Sequence, residues 1–579
     1  MKKTWLLLGI ILSLFCMNRQ QTFAAINEPS VKVADVTAEP GTKVDVPIEI
    51  SNNTGICGAT LQISYDEDLV LNEISSGDAL TSMTFTKPGD FSANPINLVW
   101  DNIEADESNG TIAVLTFTTP ERNGKYAVNI SYQDRGIVDG NLNPVKVNVM
   151  NGSITVGGGS IVAKGSCGTN VEWSLNSTGV LTISGSGQMK NYTYKSEMPW
   201  YKYNGAIKSV VIKDGITTIG DYAFYGMNSV KQIQIPEGVK TIGMYAFKNS
   251  TGFAEMQLPK SLTKLGESAF YGCTSLTKIN IPEGLYTIWG YTFKNCTGLA
   301  EVTLPSTLIK IDEAAFYGCT ALKELVIPDN VSIIGIYCFK NCTSLQTVTL
   351  PKKLQTIREA AFYGTALKEL VIPEQVTEVG KYAFKNCTEL KSVQWSKSLK
   401  KIDDSAFYAC TGLTELELPD TVMEIADYAF RKCTGLQKVK FSAGLKIIGE
   451  SSFYGCENLT ELVLPEGVET AKGYAFKGCT KVSTVTLPST LKIMGESLFY
   501  GCIGLSRIEI PAKVSAVGDY AFSRCEKLGE IKFLGDAPTI GDNTFAKVTA
   551  KVSYPNGNTT WTQEKQKNYG GTLSWSATK

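Results

Sequence analysis

Histidine is absent from this chain. Catalytic triads, imidazole general bases and imidazole-ligated metal sites go with it. Thiols are plentiful instead. Eleven of the fifteen cysteines stand three residues after a phenylalanine: Cys273, Cys296, Cys319, Cys342, Cys387, Cys410, Cys433, Cys456, Cys479, Cys502 and Cys525. In stacked repeats, equivalent side chains point the same way at ~4.8 Å, whereas a disulfide needs Cβ atoms about 3.8 Å apart. Even spacing also favours neither neighbour as a partner. Buried free thiols acting as small apolar residues are expected, a condition that suits an anaerobic habitat. No Cys-x-x-Cys pair suggests a metal site. Paired carboxylates could serve a glycosidase, but the acids recur at fixed repeat positions, as at Glu267, Glu313, Glu359, Asp404, Glu450 and Glu496. An active site should interrupt that pattern, and nothing does. Nucleotide fingerprints, phosphate loops and EF-hand-like loops are missing too. The reading is a non-enzyme that needs no cofactor.

One further set of side chains could bind rather than react. The residue after each repeated phenylalanine alternates between tyrosine and a mostly basic residue. Tyr271, Tyr317, Tyr363, Tyr408, Tyr454 and Tyr500 interleave with Lys294, Lys340, Lys385, Arg431 and Lys477. The rings and charges can simply cover the convex surface and pair across rungs. Alternatively the tyrosines form a ligand row with rings ~10 Å apart, comparable to the repeat of an extended β-1,4-glucan. The exposed strand positions, such as Gln257, Asn280, Thr303 and Val326, are mixed and largely uncharged. They suit carbohydrate or protein and do not choose between them.

These residues sit on a strict repeat. Phenylalanines stand at 224, 247, 270, 293, 316, 339, 362, 384, 407, 430, 453, 476, 499, 522 and 545, spaced by 23 residues with a single interval of 22. Each unit carries an alternating stretch ending in proline, such as Ile279-Asn280-Ile281-Pro282. That reads as a strand stopped by a turn. The Ala-Phe segment, such as Glu267-Ser268-Ala269-Phe270-Tyr271-Gly272, is too short for an independent helix and reads as a helical turn that drops phenylalanine inward. A lone unit cannot bury its apolar face, but stacked units share a continuous core. The unit Leu-x-x-Ile-x-Ile-Pro…Ile-Gly-x-x-Ala-Phe-x-x-Cys-Thr resembles the BspA-like leucine-rich repeat over residues 207–546. Residues 161–206 and 547–579 resemble its N- and C-terminal β caps. The resemblance implies a binding scaffold without chemistry.

Residues 28–156 have another texture. Short alternating stretches (Val44-Asp45-Val46-Pro47-Ile48, Thr60-Leu61-Gln62-Ile63, Ile112-Ala113-Val114-Leu115) alternate with turn signals at Pro40-Gly41, Asn52-Asn53 and Asn109-Gly110. Eight or nine strands in a β-sandwich are expected. The run Glu39-Pro40-Gly41-Thr42-Lys43-Val44-Asp45-Val46-Pro47, together with Leu61-Gln62-Ile63-Ser64-Tyr65-Asp66, Leu98-Val99-Trp100-Asp101 and Asn151-Gly152-Ser153-Ile154-Thr155-Val156, resembles a jelly-roll cohesin domain. That resemblance implies a partner, the dockerin, a small calcium-loaded module carried by plant-wall enzymes. Any calcium would belong to the partner. By resemblance the contact face includes Gly58, Thr60, Trp100, Asp101 and Asn102. Gly58 and Thr60 depart from the polar Asn and Asp of the best-known cohesins, which bears on dockerin specificity.

The fold class expected is therefore mostly β with short helical turns: a sandwich, then a capped solenoid. Lys2 and Lys3 precede an apolar run from Trp5 to Cys16, with small residues at Ala24 and Ala25. This reads as a signal peptide over 1–24, and so a secreted, extracellular or surface-associated protein with no integral membrane segment after cleavage. Gly157-Gly158-Gly159-Ser160 reads as a flexible linker over 157–160. With 55 basic against 56 acidic residues, no electrostatic footprint for nucleic acid exists. The function expected is a scaffold. Its cohesin-like domain captures dockerin-bearing enzymes while the repeats bind plant cell-wall polysaccharide or a cell-surface protein. The alternative is an adhesin with the sandwich as spacer.

Overall fold

The structure is a computed structural model that describes residues 28–157 and 161–578. The signal-peptide segment 1–24 and all but Gly157 of the linker lie outside the described residues. The chain divides into two compact units at Ser160/Ile161.

The first unit is a sandwich of β1 (Ser30–Val33), β2 (Asp35–Ala38), β3 (Lys43–Ser51), β4 (Ile56–Tyr65), β5 (Val70–Ser76), β6 (Thr84–Thr86), β7 (Ile96–Asp106), β8 (Gly110–Thr118), β9 (Gly124–Ser131), β10 (Ile137–Val138), β11 (Asn148–Met150) and β12 (Gly152–Val156). One sheet runs β11-β1-β3-β8-β5. The other runs β2-β12-β9-β4-β7-β6, with β10 also on β4. The first and last segments each cross from one sheet to the other and pair parallel in both, β1 with β11 and β2 with β12. Period-two alternation decides which side chains enter the core. On β4, Ala59, Leu61 and Ile63 are buried while Thr60 is exposed. Phe117, Leu98, Ile48 and Val128 fill the space between the sheets. Twelve strands exceed the expected number in part because β6 and β10 are too short to announce themselves by alternation.

In the second unit each turn carries two short strands and a run of tight turns. Strand Lys278–Asn280 pairs parallel with Glu301–Thr303. Thr287–Ile288 pairs with Lys310–Ile311 one rung on. On this second side nine strands, from Thr356–Ile357 to Thr539–Ile540, form one unbroken ladder. The third side holds the Ala-Phe segment, and here the local structure differs from the expected helical turn. The residue two before phenylalanine is left-handed (Ser268 φ 54°, Tyr291 φ 58°), as is the residue two after it (Gly272 φ 71°, Asn295 φ 59°). Left-handed residues on both sides rule out a helix and leave turns. Alternate amides then serve different partners. Phe270 N–H donates to the Thr292 carbonyl of the next rung at 2.9 Å, while Tyr271 N–H donates back to Ser268 at 3.1 Å. The backbone groups of a non-repetitive segment are thus satisfied rung by rung.

The core is a stack. Fifteen phenylalanine rings, from Phe224 to Phe545, are fully buried. Successive rings lie 5.2–5.6 Å apart and are tilted by 4–18°. The 22-residue interval from Phe362 to Phe384 keeps a spacing of 5.5 Å and a 5° tilt. The missing residue is absorbed at Thr365, which occupies the corner where other rungs carry cysteine. Every cysteine of the series is buried and unpaired. Each of the eleven donates its thiol to the phenylalanine carbonyl one rung back, at 3.0–3.4 Å. Ser250 stands at the same corner and makes the same bond, to Phe224 O, at 2.7 Å. Burial pushes thiols of the series up, to about 12 at Cys342, Cys433 and Cys479.

Both ends of the stack are closed. An antiparallel meander of β13 (Ile161–Gly168), β14 (Val171–Asn176) and β15 (Val180–Gly185) hands the ladder to Ser209–Ile212 by parallel pairing. Trp200 lies 6.0 Å from Phe224 and starts the ring stack. At the far end Thr549–Tyr554 and Thr572–Ala577 add two parallel strands, and Trp561 covers Phe533 at 4.6 Å. Capping matters because an open end would expose core and strand edges. No helix among the described residues is long and apolar enough to cross a membrane.

Candidate binding surfaces

On the sandwich, register decides which residues share a face. Gly58 pairs with Asp101, Ala59 with Trp100 and Thr60 with Val99 between β4 and β7. Thr84 and Thr86 of β6 pair with Asp101 and Val99. The outward row is therefore Gly58, Thr60, Val99, Asp101, Thr84 and Thr86, a surface rich in hydroxyls with one carboxylate. Trp100 has the opposite parity. It is 1% exposed and stacks on Phe85 at 4.7 Å. Its assignment to a contact face is corrected: the residue is core, because it shares the inward side with Ala59. Gly58 is half-buried for a specific reason. Val138 of β10 pairs with it in the sheet, and a β-carbon there would sit 3.1 Å from the valine methyl. A larger side chain at this position would press on the Val138 methyl, which would have to give by a few tenths of an ångström.

Beyond Asp101, β7 bulges: residues 102–105 project between the Gly58–Asp101 pair and the Ile56–Asp106 pair at which the ladder with β4 resumes. Asn102 and Ile103 are exposed, Ile103 by 93%, the highest value for a large apolar side chain among the described residues. The projection is tied down. Asn102 Nδ2 donates to the Ser82 carbonyl at 3.1 Å, and Asn102 Oδ1 accepts from Ile103 N–H at 2.8 Å. Asp106 accepts from the hydroxyls of Ser82 and Ser108. Burial works against its charge, but these hydroxyl and amide donors win and hold its carboxyl below the usual value. Asn102 thus positions the tip. Ile103, which alternation alone could not single out, presents the apolar group.

On the solenoid the tyrosine row is half-buried and already occupied. A cation lies over each ring: Lys248 at 4.4 Å from Tyr271, Lys294 at 4.7 Å from Tyr317, Lys340 at 4.7 Å from Tyr363, Lys385 at 4.5 Å from Tyr408, Arg431 at 4.4 Å from Tyr454 and Lys477 at 4.3 Å from Tyr500. A second tyrosine set, left-handed and two before phenylalanine, completes the ladder. Lys294 also lies 5.2 Å from Tyr291, whose hydroxyl donates to Glu313 at 2.5 Å. That bond to Glu313 is the main reason the Tyr291 hydroxyl titrates high, at about 12. Cation–π pairing of about 0.5–1 kcal/mol at such exposed sites makes this row a surface brace. A sugar stacking on these rings would first have to displace the cation.

Elsewhere the solenoid presents side chains to solvent at its first strand, where Val326, Val371 and Val463 are more than half exposed. Two shallow concavities lie close together on the rungs between residues 283 and 353. Among the described residues no cluster of three or more His, Cys, Asp or Glu is placed to hold a metal ion.

Comparison with known proteins agrees with this division. The family model for the BspA type leucine rich repeat region matches in overlapping segments from 199–323 to 446–564. The model for the cohesin domain matches residues 29–156. No curated protein matches the chain. Among solved structures, a leucine-rich repeat protein from Bacteroides ovatus is similar at 26% identity and TM-score 0.54, covering 70% of this chain and 98% of its own. A non-cellulosomal cohesin from Archaeoglobus fulgidus is similar at 19% identity and TM-score 0.21, covering 22% of this chain and 91% of its own. A type I cohesin–dockerin complex from Clostridium thermocellum is similar at 20% identity and TM-score 0.21, covering 22% of this chain and 99% of that one.

Proposed function

We propose a function for a chain that belongs to the BspA type leucine rich repeat family and carries a cohesin domain: a secreted, non-catalytic scaffold. The cohesin domain captures dockerin-bearing enzymes that degrade plant polysaccharides. The repeats hold polysaccharide or a surface partner, so captured enzyme and target are kept together. Calcium enters only through the dockerin. The observation that carries the reading is the outward face of β4, β7 and β6. It is an open, hydroxyl-lined sheet with Thr60 and Asp101 exposed and Ile103 standing at its edge. An exposed apolar residue rimmed by polar groups is the usual centre of an interface. The valine-covered Gly58 narrows the polar contact set and favours a dockerin whose surface is more apolar at that point.

The test is surface-immobilised full chain exposed to a panel of dockerin modules, with calcium and with chelator. Calcium-dependent binding that Asp101→Lys weakens supports the reading. No binding to any module, with the protein folded, removes it and leaves the adhesin in which the sandwich is a spacer.

A further inference from the structure

The repeat is nearly uniform, so its interruptions carry information. Seven residues before phenylalanine the chain normally places a polar group, as at Thr263, Ser332, Gln355 and Thr377. The rung of Phe430 places Met423 there, and two consecutive rungs place Tyr286 and Ile309. Four residues before phenylalanine the rungs on either side carry Gly266 and Asp312, but the rung of Tyr286 carries Trp289. These apolar side chains are not core. Tyr286 is 59% exposed, Trp289 43% and Ile309 46%. Tyrosine and tryptophan flank the two ends of the same strand, Thr287–Ile288, so about 10 Å of extended backbone separates them.

Tyr286 and Ile309 form the apolar part of a concavity of about 410 Å³ whose other walls are Thr307, Asn330, Ser332 and Lys353. Its chemistry is specific. No carboxylate lines it. Lys353 Nζ donates to Asn330 Oδ1 at 2.9 Å, and Asn330 Nδ2 donates to the Ser306 carbonyl at 3.0 Å, so the amide is held in one orientation. The site thus offers an aromatic face, a fixed amide and the Ser332 hydroxyl, with a single cation and no anion; the Thr307 hydroxyl already accepts from Gly284 N–H and donates to Leu285 O. A phosphate or an acidic peptide would need more positive charge, and a lipid chain would need a deeper apolar trough. A pyranose fits. Its C–H face packs on an aromatic ring while its hydroxyls exchange hydrogen bonds with neutral donors and acceptors. The tyrosine row lacks this quality because its rings already carry cations.

We infer that the rungs of Phe293, Phe316 and Phe339 bear a binding site for a neutral glycan chain, with Tyr286 as the stacking platform in the concavity, Asn330, Ser332 and Thr307 as its polar wall, and Trp289, outside the concavity at the other end of the strand, as a second platform for a longer chain. The site rests on the reading of the repeats as a binding surface and is independent of dockerin capture. The test is affinity electrophoresis of the full chain through native gels containing hydroxyethyl cellulose, xylan, glucomannan or pullulan. At least one polysaccharide should retard the protein. Tyr286→Ala and Trp289→Ala should each weaken that retardation about tenfold or more, the loss expected of an aromatic anchor. Both side chains are exposed, so thermal unfolding should not move. Ile309→Thr, which installs the residue type other rungs use there, should weaken binding by a smaller factor. Tyr271→Ala should leave binding unchanged. The inference is overturned if no gel retards the protein, if the two aromatic variants migrate like the parent, or if Tyr271→Ala alone abolishes retardation. Dockerin binding measured on the same preparations separates the two readings: retained capture without glycan retardation removes this site alone.

Discussion

Cys410→Ala against Cys410→Ser is a direct test of why the solenoid keeps its thiols. Cys410 is fully buried in the rung of Phe407. Its thiol donates to Phe384 O at 3.1 Å, and that carbonyl also accepts the Cys387 amide at 3.1 Å. Alanine removes the thiol bond, worth about 1 kcal/mol. It also removes a buried atom comparable to a methylene, about 0.8 kcal/mol before any cavity remains. The expected loss is about 2–3 kcal/mol. Serine keeps a donor at the same corner. The chain already performs this substitution at Ser250, fully buried, bonded to Phe224 O at 2.7 Å. Its expected loss is within about 1 kcal/mol. Urea unfolding of the full chain followed by tryptophan fluorescence reads the difference, with Trp395, 5.4 Å from Phe407, among the reporters. If serine costs as much as alanine, the thiols are there for volume alone and the hydrogen-bond argument fails.

Stability should decline in alkali. Thiols held near 12 in the fold, against an ordinary 9.0, ionise first in the unfolded chain. The contribution is therefore full below pH 9 and is lost as pH rises toward 12, at about 1.4 kcal/mol per thiol per pH unit. Urea midpoints at pH 8 and pH 10 measure it, and equal midpoints would contradict the assignment. A thiol reagent should label no cysteine of the repeat series in the native chain and all eleven after denaturation without reductant; fewer would mean disulfides. Phe362→Ala removes a fully buried ring stacked at 5.3 and 5.5 Å on its neighbours and should cost about 3–5 kcal/mol. Because rungs touch only their neighbours, hydrogen exchange should rise most in the rungs of Phe339 and Phe384, whereas uniform loosening would argue against rung-by-rung coupling. Ile103→Asp should weaken capture of any dockerin that the chain binds by about tenfold or more while leaving the unfolding midpoint in place, as its 93% exposure requires.

Much of this was legible because repetition averages out local ambiguity. Fifteen phenylalanines at one spacing announce an inward stack, and the cysteines three residues later must then share its interior. What spacing could not supply was backbone handedness. Ser268 and Tyr291 carry side chains that ordinarily avoid positive φ, so nothing in their type warned of a turn in place of a helix. Trp100 departs from its expected place because resemblance points to a segment, whereas exposure depends on parity against Ala59. The pairing of Val138 with Gly58 joins residues eighty apart and leaves no local trace. Tyr286 and Trp289 were visible as letters but became informative only once the fold put them outside.

The 22-residue interval shows where this architecture is forgiving. Thr365 closes a shortened corner, yet Phe362 and Phe384 stay within 5° of parallel. Length at that bend is decoupled from the alignment of everything around it. A loop grafted there would ride on the outside of the column, so such chains could acquire new recognition elements at single corners without renegotiating their interior.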